Sequence, residues 1–412
     1  MIEDEVGTRN ELRRESYLAR VRPWYDDCDT VKVLTGVRRC GKSVLLRQIA
    51  DELRQASSPE QVITANFELT TLSDVRQAED LEAFVLRQIS KPAQIHYVLL
   101  DEVQEVPGFE RAVNSLRARG NISVFITGSN AHVLSGDLAT YLAGRFREIR
   151  VWPLTYSETV ELCQLRGLPQ DNLLQDYLTL GGMPHRFGLV PNEVASYLRD
   201  VFSSVVLRDV VQRTGIRDVG GLETITDFVM ENLGRVMSPS AMSAFLKSAN
   251  RTVSTETIYT YLRGLADALL VNRVRRFDVR GKKVMSTLDK YYATDVGVLA
   301  SKSVGTGPGT GDLVENAVFV QLAQRGFDVY TGKTKTGEID FVAVRQGQPR
   351  YVQVTYLLGS EDVVAREFGA FDDVRDGYPR FLISMDPLTQ SRDGVTHLRL
   401  EDFLLRPPAD LA

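Results

Sequence analysis

Eight residues near the start of the chain have the types and spacing of a phosphate-binding loop. Residues 36–43 read Gly-Val-Arg-Arg-Cys-Gly-Lys-Ser, which matches the pattern G-x-x-x-x-G-K-S. In such a loop the glycines let backbone N–H groups turn toward phosphate oxygens, and the next helix adds the positive end of its dipole. We therefore expect Lys42 to reach the β- and γ-phosphates of a nucleoside triphosphate and the Ser43 hydroxyl to bind Mg²⁺. The residues expected around the nucleotide are Gly36, Val37, Arg38, Arg39, Cys40, Gly41, Lys42, Ser43, Val44 and, from a later segment, Ser129.

Two adjacent carboxylates follow a later apolar run. Residues 95–100 form the run, and Asp101 and Glu102 come directly after it. Open parallel sheets bind ligands at the carboxyl ends of their strands, so this pair should face the phosphate loop. Asp101 is then expected to hold Mg²⁺, and Glu102 to orient or deprotonate the water that attacks the γ-phosphate. The alternative is a solvated turn without a catalytic role.

Further polar residues follow the next apolar run, at 122–127. Ser129 and Asn130 could sense the γ-phosphate or hold the attacking water, or they could cap the next helix. Arg145 could stabilise charge on the transferring phosphoryl group, or it could be a surface residue in a salt bridge. The sequence leaves open whether Arg145 would act within its own chain or on a neighbouring subunit.

The elements that must position these residues follow from the hydrophobic pattern. Between residues 31 and 153, short β-branched apolar runs alternate with amphipathic stretches, the pattern of βαβ units around a parallel sheet. The predicted strands are 31–35, 61–66, 95–100, 122–127 and 148–152, and the predicted helices are 42–54, 80–90 and 109–119. The sequence thus predicts a P-loop α/β domain with helices on both faces of the sheet.

Composition bounds the class of protein. The chain has 412 residues, more than one hydrophobic core accommodates, and its 43% hydrophobic and 25% charged residues are typical of globular proteins. A net charge of -5 argues against a coat of positive charge for general nucleic-acid binding. Three scattered cysteines and four histidines offer neither a disulfide framework nor a zinc ligand spacing. With no apolar run of about 18 residues, we expect a cytoplasmic protein without a membrane partner.

Breaks in the pattern predict the domain organisation. The predicted segments are an ATPase-like core at 1–153, a helical connector at 154–237, a winged-helix-like unit at 238–300, a glycine-rich linker at 301–311 and a second α/β domain at 312–412.

The chain resembles the AAA-superfamily ATPases of bacteria and archaea that carry a C-terminal DUF4143 region. The resemblance lies in residues 36–43, the Leu-Leu-Asp-Glu edge at 99–102, and segments 126–130, 142–145 and 153–158. It implies a switch that binds and hydrolyses ATP with Mg²⁺ and couples its nucleotide state to the middle and C-terminal domains. Self-association, or binding of another protein, would fit the same resemblance.

The middle of the chain is locally basic. Residues 238–295 include ten Lys or Arg but only five Asp or Glu. Two helix starts, at Ser238 and Ser254, predict a helix-turn-helix, and the runs 270–277 and 283–288 are predicted to pair as strands, so the unit resembles a winged helix. If it binds duplex DNA, the groove-facing residues would be Thr255, Thr257, Tyr259 and Thr260, and the phosphate-facing residues Arg273, Arg275, Arg280, Lys282 and Lys283. A DNA-binding protein gated by ATP is thus a second hypothesis, and a unit used only for packing is its alternative.

The last segment resembles the PD-(D/E)xK nuclease fold. The matching order is Glu315, Asp340, Gln353 and Thr355. Gln353 stands where an acid binds the metal, and Thr355 where a lysine positions water. Lys333 or Lys335 could supply the missing cation, which keeps an ATP-regulated nuclease as a third hypothesis. We expect a nuclease-like scaffold without cleavage, in which Glu315 and Asp340 are remnants, a weak cation site or ordinary surface carboxylates.

Overall fold

The computed structural model describes residues 11–128, 141–142, 144–211, 215–248, 251, 253–285, 289–301, 308–335 and 337–406. Ser129 and Asn130, two predicted site residues, lie outside these ranges. The chain divides into two compact units. The first is Met1–Pro153 with Asp267–Leu269, and the second is Leu154–Ala266 with Leu270–Ala412.

The described part of the first unit contains one sheet of five parallel strands in the order β2-β3-β4-β1-β5. The strands are β1 Val31–Thr35, β2 Val62–Asn66, β3 His96–Asp101, β4 Ile122–Gly128 and β5 Phe146–Arg150. The helices are α1 Glu15–Val21, α2 Lys42–Ala56, α3 Ala78–Leu86 and α4 Phe109–Ala118, with short 3₁₀ turns at Arg22–Trp24, Pro59–Gln61, Thr70–Leu72 and Val103–Glu105. The parallel sheet predicted from the alternating pattern is confirmed.

Burial explains why the central strands read as continuous apolar runs. Every residue of β1, β3 and β4 is buried, as expected for strands covered on both faces. On one face, Val33, Leu100 and Ile126 share a core with residues of α3 and α4. The alternate positions of the same strands face the other way, and α2 contacts β2, β3 and β4. This packing places the carboxyl ends of β1, β3 and β4 along one edge.

The second unit begins with helices. They are α5 Tyr156–Arg166, α6 Leu173–Leu180, α7 Pro191–Ser204, α8 Val219–Glu231, α9 Pro239–Ser248 and α10 Thr255–Asp267; a 3₁₀ turn at Pro184–Gly188 precedes α7, and a π-helix at Val205–Val211 continues it. A capping box starts α5, where the Glu158 backbone N–H donates to Thr155 and the Thr155 backbone N–H donates to Glu158. The break after α6 is closed by Asp295, whose carboxylate accepts from the Gly182 backbone N–H at 2.8 Å.

In the part of the second unit that the structure describes, seven strands form a mixed sheet in the order β14-β13-β12-β11-β10-β7-β8, and β6 pairs separately with β9. The strands are β6 Val271–Val274, β7 Arg276–Asp278, β8 Lys283–Val284, β9 Lys290–Ala293, β10 Asp328–Lys333, β11 Glu338–Arg345, β12 Gln348–Val354, β13 Arg380–Ser384 and β14 Val395–Arg399. The accompanying helices are α11 Val296–Ala300, α12 Thr310–Gln324, α13 Glu361–Gly369 and α14 Leu400–Leu405.

The predicted hairpin between 270–277 and 283–288 is confirmed where β7 pairs with β8, but its extent is wrong. The first run is two strands, and β6 pairs with β9 rather than with β8. Strand β7 pairs antiparallel with β8 and parallel with β10, so the hairpin is the edge of the C-terminal sheet. The backbone N–H and C=O groups of β7 that do not face β8 need hydrogen-bond partners. Strand β10 supplies them, although in sequence β10 follows the segment 301–311 that was predicted as a linker. That segment therefore does not separate two independent sheets. Residues 286–288 lie outside the described chain.

Across the described chain, no helix is both long and apolar enough to cross a lipid bilayer.

Candidate functional site

The phosphate loop joins β1 to α2. Its first glycine is required by space, because a Cβ at Gly36 would lie 2.3 Å from the carbonyl oxygen of Val151 and 2.7 Å from Cys40 Sγ. Arg39 and Gly41 have positive φ values of 66° and 104°. Left-handed residues of this kind turn successive N–H groups to one side, which makes an anion-binding concavity. The loop thus has the backbone shape that its sequence predicted.

The predicted phosphate and metal ligands open α2. Lys42 is buried, and its ammonium donates to the carbonyls of Gly36 and Val37 at 2.9 and 3.3 Å, which places the charge inside the loop. Ser43, in the first turn of α2, is exposed, and Val44 is half-buried. Both the loop and the N-terminus of α2 therefore direct positive potential to one place.

The back of the loop is held by Arg14, which the sequence did not point to, and by the side chain of Cys40. Arg14 is buried and donates to the Trp152 carbonyl at 2.8 Å and, at 3.5 Å, to those of Cys40 and Pro153. The Cys40 thiol donates to the Val151 carbonyl at 3.3 Å. Burial raises the pKa of the Cys40 thiol, so the thiol remains a protonated donor. No local pattern marked Arg14, because it precedes a short helix and its partners lie far along the chain.

Arg150 is a second cation near the loop, half-buried at the end of the neighbouring strand β5. It is paired in register with Thr35, the residue before Gly36, and its guanidinium stacks on the Trp152 ring at 4.0 Å. Burial lowers the pKa of Arg150 to about 10, and the Glu148 carboxylate opposes that shift. The sequence analysis placed Arg150 only within a predicted strand, 148–152, and nothing in the sequence separated it from its neighbours.

Asp101 and Glu102 lie at the carboxyl end of β3, as predicted, and Thr127 of the neighbouring β4 links them. The Thr127 hydroxyl donates to Asp101 Oδ1 at 2.6 Å and accepts from the Glu102 backbone N–H at 2.9 Å. Glu102 has a φ of 49°, a left-handed conformation unusual for a residue with a side chain. Its carboxylate accepts a hydrogen bond from Gln104. Backbone strain of this kind concentrates at functional sites.

Thr127 was missed because the sequence analysis placed the polar group two residues later. It ends an apolar run and therefore looked like part of a buried strand. A buried hydroxyl at the carboxyl end of a strand was the available signal, since buried polar groups are expected to be paired.

Arg145 is not brought to this edge within its own chain. Its carbonyl accepts from the Val31 backbone N–H at 3.0 Å, so it lies beside the first residue of β1. Gly36 follows the last residue of the same strand, which puts the two ends roughly 16 Å apart at about 3.3 Å per residue. The side chain of Arg145 is exposed. The structure therefore places Arg145 away from the phosphate loop of its own chain, because a parallel strand carries its start and its end to opposite edges.

The residues predicted to contact DNA are only partly arranged for it. On α10, the Thr257 hydroxyl bonds with that of Ser254 and the Thr260 hydroxyl donates to a backbone carbonyl, so both serve the helix. Thr255 and Tyr259 are exposed. Arg273 is paired with Asp289 at 2.6 Å. The exposed basic residues on and beside the β7–β8 hairpin are Arg275, Arg280, Lys282 and Lys283.

The structure brings three residues of the predicted nuclease-like motif, Glu315, Asp340 and Gln353, into one half-buried cluster, whereas for Thr355 it gives only a backbone hydrogen bond to Ile383. Glu315 lies on α12 and accepts from the Tyr292 hydroxyl at 2.6 Å. Asp340 lies on β11, where its carboxylate accepts from the Val354 backbone N–H at 2.8 Å. The cation comes from Lys290 of β9, whose ammonium lies 2.6 Å from Glu338 Oε1 and 3.4 Å from Glu315 Oε1. The expectation that Glu315 and Asp340 could be ordinary surface carboxylates is wrong, since both are half-buried and bonded to neighbouring elements.

Burial and neighbouring charges shift the pKa values of the ionisable groups in this cluster. Burial raises the pKa of Glu315, and it raises that of Asp340 well above its usual range, with the Glu315 charge adding to the effect. Burial alone would lower the pKa of Lys290, but the carboxylates of Glu315, Asp340 and Glu338 outweigh it and raise the pKa. The ammonium is therefore charged at neutral pH. Lys333 and Lys335, predicted as possible substitutes for the missing lysine, are exposed.

A serine, a histidine and an aspartate also meet in the C-terminal sheet, yet they do not form a nucleophile site. Ser384 Oγ lies 2.8 Å from His397 Nε2 and donates to Asp386 at 2.7 Å. The Gln390 backbone N–H donates to His397 Nδ1 at 3.0 Å, which makes Nδ1 the acceptor and Nε2 the donor. His397 therefore cannot take a proton from Ser384 through Nε2.

Comparison with known families agrees with the loop and the parallel sheet. Residues 29–160 match a family model described as an AAA domain. Residues 171–306 match a model described as a domain of unknown function, DUF8612, which differs from the DUF4143 region that the sequence resemblance implied.

Relatives match along nearly the whole chain. An uncharacterized protein of Haemophilus influenzae is 33% identical over 399 residues, 96% of this chain and 99% of that protein. An uncharacterized protein of Methanocaldococcus jannaschii is 26% identical and covers 90% of this chain and 85% of its own length.

Solved structures show a weaker likeness. The Cdc6p structure from Pyrobaculum aerophilum is 13% identical, with a TM-score of 0.32 over 73% of this chain and 96% of that one. The Aeropyrum pernix ORC1 protein in complex with DNA is 13% identical, with a TM-score of 0.35 over 71% and 93%. Because both TM-scores are low, the assignment rests on the family model, the H. influenzae relative and the site itself. The protein belongs to the same family as the H. influenzae protein, and its residues 29–160 form an AAA domain of the P-loop type.

Proposed function

We propose that the protein binds Mg-ATP and hydrolyses it to ADP and phosphate. The observation that carries this proposal is the hydrogen-bonded group of Asp101, Thr127 and Glu102 at the carboxyl edge of the sheet that presents Lys42 in the phosphate loop. β4 lies between β3 and β1, so the acids and the loop flank a single strand. A buried acid pair is costly to stability unless a cation offsets its charge, and the anion-binding loop at the same edge suits the phosphates that such a cation would accompany.

Each residue has a distinct role in this proposal. The N–H groups of residues 36–43 and the Lys42 ammonium bind the β- and γ-phosphates. Glu102 accepts a proton from the attacking water, whose oxygen bonds to the γ-phosphorus while the bond to the β–γ bridging oxygen breaks. The Ser43 hydroxyl and the Asp101 carboxylate are hard oxygen donors that fit Mg²⁺ and would hold it. When bound, Mg²⁺ supplies charge neutralisation for the phosphate oxygens.

Three variants test the assignment of roles. Lys42→Ala should abolish ATP binding, because the loop loses its buried ammonium. Glu102→Gln should bind ATP normally and lower turnover by about 10²–10⁴-fold, the typical contribution of a general base. Glu105→Gln is the matched control, since it makes the same change on an exposed side chain three residues away. Binding is measured by calorimetry and turnover by phosphate release; wild-type turnover in Glu102→Gln would remove Glu102 from the reaction.

The route from the nucleotide to the second unit is proposed to pass through Arg14. Its guanidinium bonds the loop at Cys40 and the chain at Trp152 and Pro153, immediately before the second unit begins. A shift of the loop on phosphate release would therefore be transmitted to residues 152–153. Hydrogen exchange of residues 154–406 should differ between ATP-bound Glu102→Gln and the ADP-bound protein. When Arg14→Ala is added to Glu102→Gln and to the otherwise unchanged protein, the difference in hydrogen exchange between the ATP-bound and ADP-bound forms should shrink. Both proteins should still bind nucleotide.

DNA binding is a second candidate function. It is favoured by the exposed cluster Arg280, Lys282 and Lys283 on the β7–β8 hairpin, with Lys282 65% exposed and only loosely paired to Asp376 at 3.8 Å. Because the hairpin is part of the sheet, these residues would contact phosphates rather than enter a groove as a free wing. Most such contacts position the protein without reading sequence.

Anisotropy of a labelled duplex measured over a range of salt concentrations tests this candidate. Alanine at all three positions should weaken binding and reduce the salt slope by about 3. The control is Arg20→Ala, Arg47→Ala and Arg119→Ala together, which removes the same charge from exposed positions of the first unit. If both triple variants weaken duplex binding equally, the effect is due to net charge and not to the hairpin. If the wild-type protein shows no binding at low salt, with or without ATP, the DNA hypothesis is contradicted.

A further inference from the structure

The second unit buries one ammonium, from β9, among carboxylates from two other elements, β11 and α12. Only 5% of the Lys290 side chain is exposed, and its Nζ contacts Glu338 on β11 and Glu315 on α12. Asp340, two residues beyond Glu338 and thus on the same face of β11, is within electrostatic reach of both Lys290 and Glu315. Buried charges of one sign are tolerated when a buried charge of the other sign pairs with them.

The remaining groups of the cluster are already committed to protein partners. Gln353 Oε1 accepts from the Asp340 backbone N–H at 3.2 Å, and its Nε2 donates to Glu367 at 2.8 Å. Asp340 accepts from the Val354 backbone N–H, and Glu315 from the Tyr292 hydroxyl. Each group that a metal-dependent nuclease would offer to its ion thus has one oxygen bonded to an N–H, O–H or N⁺–H donor: Glu315 Oε1, Asp340 Oδ2 and Gln353 Oε1.

A divalent ion does not fit this cluster while the Lys290 ammonium occupies it. Where the nuclease pattern has a second acid, Gln353 has no charge and its carbonyl is occupied by a hydrogen bond. Among the residues that the structure describes, no group of three or more His, Cys, Asp or Glu side chains has an arrangement able to hold a metal ion. The ammonium of Lys290 also stands between Glu315 and Glu338, where it would repel a second cation.

We propose that Lys290 is the resident cation of this cluster, so that the C-terminal sheet is a nuclease-like scaffold whose metal is replaced by an internal ammonium. The lysine comes from β9, within the region that matches the DUF8612 model, whereas the carboxylates come from outside it. The cluster therefore joins the two parts of the second unit by charge. This proposal does not depend on ATP hydrolysis.

Removing the ammonium should convert the cluster into a metal site. Lys290→Met keeps the length and apolar stem of the side chain but leaves the buried carboxylates uncompensated. In the nucleotide-free full chain carrying Lys42→Ala, which disables the phosphate loop, Mn²⁺ binding is measured by calorimetry and by electron paramagnetic resonance. We expect the wild-type cluster to show no Mn²⁺ binding that depends on Asp340. Lys290→Met should gain an Mn²⁺ site, because the unpaired acids now favour a cation, with an affinity at least about tenfold above any residual Mn²⁺ binding of the chain that keeps Lys290. Asp340→Asn should abolish that site.

Controls separate this outcome from general charge effects and from loss of folding. Lys283→Met removes an exposed lysine from β8, in the sheet that also contains Glu338 and Asp340, and should gain no Mn²⁺ site. If Lys290→Met unfolds without metal, Mn²⁺ should restore its melting transition. The proposal is overturned if the wild-type chain binds Mn²⁺ or nicks plasmid DNA in a manner that Asp340→Asn abolishes. It is equally overturned if Lys290→Met, folded or not, fails to respond to Mn²⁺.

Discussion

The Thr127 hydroxyl donates a 2.6 Å hydrogen bond to the Asp101 carboxylate across two neighbouring parallel strands. The same oxygen accepts from the Glu102 backbone N–H, so one hydroxyl sets the position of both acids. Without it, Asp101 could rotate about its side-chain bonds, and the left-handed turn at Glu102 would lose a partner that helps to hold it. Thr127 is therefore a positioning residue between the predicted metal ligand and the predicted base.

Replacing Thr127 by valine should lower ATP turnover while leaving nucleotide affinity nearly unchanged. A hydrogen bond to a charged group contributes about 1.5–3 kcal/mol, which corresponds to roughly a 10- to 100-fold fall in kcat if all of it acts in the transition state. Thr127→Ser retains the hydroxyl and should recover most of the activity. Steady-state kcat and KM of both variants provide the measurement, and a valine variant with unchanged kcat would contradict the positioning role.

An alanine at position 36 should eliminate ATP binding and destabilise the first unit by about 1–3 kcal/mol, the usual cost of overpacking. Its Cβ would meet the backbone carbonyl of Val151, which has no flexible end to move aside. Gly120→Ala is the control, since φ there is also positive but no described atom lies within 4 Å. Calorimetry and thermal melting should show a much smaller change for the control; equal effects would mean that backbone conformation, not contact with Val151, makes Gly36 necessary.

Stability of the first unit should rise with pH above 8 because of Lys32. This lysine is fully buried on β1, where its ammonium donates to the carbonyls of Asp27 and Thr30 and to Ser123 Oγ. Burial lowers the pKa of Lys32 to about 8. Between that pH and the ordinary lysine pKa of about 10.4, the unfolded chain binds more protons than the native one, so the free energy of unfolding increases with pH.

Lys32→Met should remove this increase, a difference on the order of 2–3 kcal/mol between pH 8 and 10. Both tryptophans of the chain, Trp24 and Trp152, lie in the first unit, so urea unfolding followed by their fluorescence reports on it. Parallel pH curves for the wild type and the variant would show that the lysine keeps its ordinary pKa in the folded protein.

If Arg145 acts on a nucleotide, it must do so on a second copy of the chain, because it lies at the sheet edge opposite its own phosphate loop. Mixing Lys42→Ala, which cannot bind ATP, with Arg145→Ala, which lacks the arginine, should then restore part of the ATPase activity that each lacks alone. Arg119→Ala, another exposed arginine of the first unit, should keep its activity without mixing. An Arg145→Ala protein of wild-type activity would exclude any catalytic part for this residue.

Residues 308–406 should not fold as an isolated fragment, whereas residues 154–406 should. The shorter fragment lacks β7 and β8, which cover the edge of β10, and it lacks Lys290, which compensates Glu315 and Glu338. Breaking a buried ion pair by removing one partner costs about 3–5 kcal/mol, a large share of the stability of a small domain. Circular dichroism during urea titration should show a cooperative transition only for the longer fragment; such a transition in the shorter one would contradict the charge and sheet-edge arguments.

The sequence by itself predicted the phosphate loop, the acid pair after β3 and the presence of the strands of the first sheet. These features depend on spacing over a few residues and on apolar runs, both of which are local. The edge on which Asp101 and the loop meet also followed, since parallel strands align their carboxyl ends.

Only the tertiary structure decided which distant residues complete these sites. Thr127 meets Asp101 because β4 lies beside β3, Arg14 meets Cys40 because α1 packs behind the loop, and Lys290 meets Glu338 because β9 lies against α12 and β11. The tertiary structure also shows that Arg145 lies at the edge of the first sheet opposite the phosphate loop, and that the basic β7–β8 hairpin is part of the C-terminal sheet. Strand order and burial arise from packing summed over the whole unit, so a contact between residues tens of positions apart leaves no mark in the local pattern of either one.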